Sequence, residues 1–95
     1  MKFAFIIMGE FDSRRDRASI REGAAQIIGV SSLEEACSVA VSLREAGVGC
    51  IELCGAFGPE GARAVAAATQ ESIPVGYISH LPEQEAVYRA AFPPA

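Results

Sequence analysis

The chain of 95 residues carries a single lysine, Lys2, and a single histidine, His80. Lys2 stands at the start of the first apolar run, a poor place for Schiff-base chemistry, so that activity is not expected. Cations are scarce as a class: eight Lys and Arg against twelve Asp and Glu give a formal net charge of −4. Nucleic acid is therefore not the expected partner, because neutralising phosphates requires a basic face. The one basic cluster, Arg14, Arg15 and Arg17 with Arg21, is interrupted by Asp16 and flanked by Asp12 and Glu22, and reads as a solvated loop. No apolar run approaches the roughly twenty residues of a membrane span, so no membrane partner is expected. The opening MKFAFIIM is short and runs straight into Gly9-Glu10 without a small-residue cleavage pattern, unlike a signal peptide. A cytoplasmic location is the expectation.

Paired cysteines are missing too. The three thiols are an odd count, and none lies in a C-x-x-C spacing, so neither a disulfide framework nor a metal site is implied. Cys50 and Cys54 lie four residues apart on one extended segment, about 13 Å at the usual rise. A disulfide needs Cα atoms within about 7 Å, so they cannot bridge without leaving the strand. Reduced thiols in a reducing compartment fit best. The glycine fingerprints of nucleotide sites are absent as well: CGAFGPEG is neither G-x-G-x-x-G nor a P-loop. Pro59 removes a backbone donor there, and Glu60 repels an anion. No cofactor is implied.

What is present alternates between strand and helix. KFAFIIM, residues 2–8, reads as a central strand covered on both faces. A strand follows at 25–30, and the segment before it stays open between two readings. Glu22-Gly23 turns a hairpin between RASIR and AAQIIGV, or residues 12–21 form a short crossover helix. Ser32 and Glu35 have capping-box spacing. Leu33, Ala36, Cys37, Ala40 and Leu43 recur at helical period, and Gly47 suits a left-handed stop, giving a helix over 32–46. VGCIELC is the next strand, 48–54. Pro59 and Glu60 open a helix to about residue 70, with Ala62, Val65, Ala66 and Thr69 inward. A strand over 73–79 and a last helix from Pro82 follow, with Ala86, Val87 and Ala90 inward. The order implies one small α/β domain over residues 1–95, with a mainly parallel four-stranded sheet built from βαβ units. The hairpin would add to it.

In such sheets ligands bind beyond the carboxyl ends of the strands. Those ends carry Gly9 and Glu10, Ser31 and Ser32, Cys54 and Gly55, and Ser79 and His80. The opposite ends carry Lys2, Gly47 and Ser72, a poorer set. Glu52 is a carboxylate in an otherwise apolar strand, where it must be exposed, paired or protonated. Period-two alternation puts it on one face with Cys50 and Cys54. Cys54 lies near a helix start, where a thiol can become a nucleophile, and His80 ends the neighbouring strand in sequence, as a candidate base for it. The candidate catalytic residues are thus Glu52, Cys54 and His80. The candidate ligand-binding residues are Glu10, Gly55, Gly58 and Ser79.

The segments KFAFIIMGEFD, QIIGVSSLEEA, GVGCIELCGAFGPEGA and IPVGYISHLPEQE together resemble an uncharacterised family of small prokaryotic proteins. The words IELCGAFG and PVGYISHLPEQ carry most of the likeness, which spans nearly the whole chain. That family implies no established activity. LREAGVGCIEL is similar to βα units of (β/α) barrels that handle phosphates and sugar acids, aldolases among them. That likeness implies an acid or base role for Glu52. Two functions stay open: a small-molecule site at the carboxyl edge of the sheet, and a non-enzymatic self-associating module. Homo-oligomerisation is expected because so short a chain buries a modest fraction of its surface.

Overall fold

The computed structural model describes residues 1–94. Its central strand, β1 (Lys2–Met8), pairs in parallel with β3 (Ala25–Val30) on one side and β4 (Val48–Leu53) on the other. β5 (Val75–Tyr77) continues the parallel set beside β4, and β2 (Arg17–Ile20) closes the other edge antiparallel to β3. The sheet order is β2-β3-β1-β4-β5. This is an α/β fold with four parallel strands and a fifth from the hairpin. Of the two readings for the early segment, the hairpin holds. Arg21, Glu22 and Gly23 take positive φ in the turn, and the Gly23 and Ala24 N–H groups donate to the Ile20 and Arg21 carbonyls.

α1 (Leu33–Glu45) joins β3 to β4, and α2 (Gly58–Ala68) joins β4 to β5. Both crossovers step across the sheet in the same direction. Right-handed connections running one way place their helices on one face, and α1 and α2 pack together there. Beneath them lies the core of Ala4, Ile6, Ile28, Val30, Ile51 and Leu53, with Ala36, Ala40 and Leu43 of α1 and Ala62 and Val65 of α2 above. Transfer of about 1.5–3 kcal/mol per large buried aliphatic side chain holds this layer together. The link from β1 to β3 runs through the hairpin and brings no helix, so the expectation of a strand covered on both faces is corrected. Phe3 and Phe5 of β1 lie exposed on the far side.

Helix ends follow local chemistry, with one amendment. Ser32 caps α1 by accepting from the Glu35 N–H. The Glu35 carboxylate does not return to Ser32; it accepts from the Ser31 N–H and hydroxyl and from the Ser13 N–H. It thereby ties the loop after β1 to the start of α1, and these bonds hold its pKa down at about 2. Leu33, the first residue of the expected apolar stripe, is exposed. At the C-terminus of α2, Arg44 of α1 donates to the Thr69 carbonyl at 3.1 Å.

The last helix departs further from expectation. A 3₁₀ turn (Pro82–Gln84) leads into α3 (Glu85–Ala91), which buries none of its residues. Ala86, Val87 and Ala90, expected inward, are exposed, and Tyr88 is the half-buried residue. At seven residues the helix does not reach the core, so its contacts are made by rings rather than by small apolar side chains. No described helix is long and apolar enough to cross a membrane.

Candidate functional site

Beyond the carboxyl ends of β1, β4 and β5 lies a cavity of about 740 Å³. Cys54, Gly55 and Gly58 form one wall, Tyr77, Ser79 and His80 another, and Tyr88 and Phe92 close it from α3 and the residues after it. Its size falls in the usual range for small-molecule pockets, and a mostly apolar lining with a few polar groups is their usual character.

Cys54 is positioned by two backbone groups of the central strand. Its N–H donates to the Ile6 carbonyl at 3.0 Å, and its Sγ accepts from the Met8 N–H at 3.3 Å. The residue caps a 3₁₀ turn (Gly55–Phe57) that passes into α2. Gly58 makes that passage with φ +62° and ψ −177°, a region open to glycine alone. Gly55 stands where a Cβ would come 3.3 Å from the Ile78 carbonyl and 3.5 Å from the Tyr88 hydroxyl. The chain on either side of Gly55 therefore closes up to Tyr88.

His80 is held from two directions. Its Nε2 lies 2.6 Å from Glu85 Oε1, and its ring stacks on Tyr88 with centroids 4.1 Å apart. Glu85 in turn accepts from Arg89 Nε, one helical turn on. The Arg89 guanidinium, and after it His80, hold the Glu85 carboxyl below the usual carboxylate range. An exposed arginine thus fixes a carboxylate, and the carboxylate fixes an imidazole at the cavity wall.

The other expected residues divide. Gly55, Gly58 and Ser79 line the cavity with Cys54 and His80. Glu52 does not: its neighbours in register are Phe5 and Gly76, and it lies on the face without helices. Its Oε1 is 3.5 Å from Cys50 Sγ, so those two share a face as expected. Cys54 follows the last residue of β4, beyond the reach of strand alternation. Glu10 is exposed past β1 and lines none of the described cavities. Burial, then the Glu52 carboxylate, pushes the Cys50 thiol up, and burial alone pushes Cys37 up. Among the described residues no group of three His, Cys, Asp or Glu side chains is placed to hold a metal ion.

Sequence reasoning missed Tyr77, Tyr88, Phe92, Glu85 and Arg89. The last two carried a readable signal, since a Glu–Arg pair at i, i+4 follows five residues after the lone histidine.

The family model described as a family of unknown function, DUF6506, matches residues 1–92, and the chain belongs to that family. No curated protein and no solved structure matches it.

Proposed function

We propose that the cavity at the carboxyl edge of the sheet binds a small, largely apolar organic molecule carrying an activated carbonyl group, and that Cys54 is the group it meets. One observation carries this reading: Cys54 and His80 come from the ends of two adjacent strands and line the same cavity, with His80 fixed by Glu85. With Nε2–H donated to Glu85, Nδ1 of His80 keeps its lone pair and takes the thiol proton. The sulfur then attacks the carbonyl carbon, a C–S bond forms as the bond to the leaving oxygen or sulfur breaks, and the proton passes from His80 to the leaving group. The Ser79 hydroxyl and the backbone at Gly55 and Gly58 serve as polar anchors. Tyr77, Tyr88 and Phe92 supply the apolar enclosure.

Alkylation kinetics test it. In a chain with Cys37→Ser and Cys50→Ser, chloroacetamide should modify Cys54, and His80→Ala should slow that reaction about tenfold or more. Equal rates with and without His80 would remove the imidazole from the chemistry. A thermal-shift screen of thioesters and aryl esters should then find compounds that stabilise wild type and lose their effect in Tyr88→Ala.

A further inference from the structure

The face of the sheet opposite the helices has a composition that the cavity does not use. Phe3, Phe5 and Ile27 are 42–44% exposed there, and Ile20 is 70% exposed. Phe11 folds back onto the same face, its ring against Gly9 and Gly29. At roughly 200 Å² per large side chain, these five residues present on the order of 450 Å² of apolar surface. With the half-buried Ile7 and Cys50 and the rim, two such faces would remove on the order of 1,200 Å² from water, the lower limit of stable interfaces.

Charge is confined to the flanks of this face. Arg15 lines a hollow on the β2 side together with Ile7, Phe11 and Ile27, and Asp16 lies beside it. Arg17, level with the buried Ile28, projects to the helix-bearing face. Asp16 is already engaged, accepting from the Asp12 N–H at 2.7 Å. On the β4 side stands Glu52. Among the described residues, neither Arg15 nor Glu52 has an ion-pair partner. The face is thus apolar between two charged flanks.

We propose that this face is the contact between two copies of the chain, related by a two-fold axis that lies between the sheets and runs along the strands between β1 and β3. The register supports that placement. Phe5 stands level with Glu52 on one side and with Ile27 and then Ala18 on the other. Rotation about the axis lays β1 of one copy over β3 of the other, and β4 over β2. Glu52 then stands above Ala18, and the contact repeats by symmetry. Phe3 is level with Ala25, so it enters the groove of about 250 Å³ bounded by Phe5, Ile20, Ala25 and Ile27. Face-to-face sheets pack about 10 Å apart, a distance that interdigitating Phe and Ile side chains fill.

Sedimentation equilibrium across a wide range of concentration tests the proposal. Wild type should be a dimer. Phe5→Glu should be monomeric with an unchanged far-ultraviolet dichroism spectrum. Ile20→Glu and Ile27→Glu should each weaken the dimer about tenfold or more, while Arg17→Glu, on the opposite face, should leave it unchanged. Ile20, 70% exposed, tests the contact even if Phe5→Glu fails to fold. A wild-type monomer at all concentrations overturns the proposal, as does a dimer indifferent to Ile20→Glu and Ile27→Glu. A monomer that takes up detergent or lipid on this face, or forms a one-to-one complex with a different chain, overturns it as well. None of these outcomes depends on the chemistry of Cys54.

Discussion

His80 and Tyr88 lie ring on ring, their planes inclined by 15°. Tyr88 also meets Phe92, with centroids 4.9 Å apart. α3 buries no residue, so the stack of Tyr88 on His80 ties it to the rest of the chain, while the Tyr88–Phe92 pair lies within the segment itself. Aromatic pairs contribute about 0.5–1.5 kcal/mol each beyond their burial. Tyr88→Ala should therefore free the C-terminal segment. Limited proteolysis should cut after residue 80 several times faster, while the global unfolding midpoint moves little.

The Glu35 carboxylate makes stability depend on acidity. Its folded pKa of about 2 lies below the ordinary 4.5, so its stabilising contribution is present above 4.5. It is lost as pH falls from there towards 2. Urea unfolding at pH 6 should show Glu35→Gln less stable than wild type. The gap should close on acidification towards pH 2. A gap of constant size would mean that the carboxylate's charge is not what matters.

Cys50 should respond to its neighbour. Burial and the adjacent Glu52 carboxylate both disfavour its thiolate. Glu52→Gln removes the negative charge and so should speed maleimide labelling of Cys50 at fixed pH. Mass spectrometry of the modified peptide distinguishes it from Cys54. An unchanged rate would leave burial as the whole cause.

Gly29 is a packing requirement. A Cβ there would lie 2.5 Å from Cγ of Phe11 and 2.7 Å from its Cβ, a clash that only movement of the loop relieves. Gly29→Ala should cost about 1–3 kcal/mol, as overpacked sites do. It should also lift Phe11 off the sheet, read as a change in the near-ultraviolet dichroism spectrum.

Much of this is legible in the sequence. The ends of α1 are written in Ser32 and Gly47, because caps are decided within a few residues, whereas Glu22-Gly23 offers the hairpin without excluding a short crossover helix. Period two correctly joined Glu52 to Cys50. It could not say which face the helices would cover, since that follows from the strand order and the direction of the two crossovers. Glu52 therefore looked like a companion of Cys54 and His80, although it lies on the opposite side of the sheet from the helices. The failure at α3 has a different cause. Ala86, Val87 and Ala90 have helical spacing, but a stripe implies burial only when the helix is long enough to lie on a core. Glu85 and Arg89 were hidden because their link to His80 depends on how the turn at 82–84 folds back.

The two halves of the cavity wall differ in mechanical character. Cys54 is clamped by its own N–H and its sulfur to β1, the middle strand of the sheet. Tyr88 and Phe92 ride on a helix with nothing buried beneath it. A guest would press a stiff floor against a compliant roof. Backbone amides of Cys54 and Leu53 should exchange with solvent at the slowest rates in the molecule, whether or not a guest is present. Those from Tyr88 to Phe92 should exchange quickly and slow on occupancy, so the C-terminal turn would serve as the gauge of whether the cavity is filled.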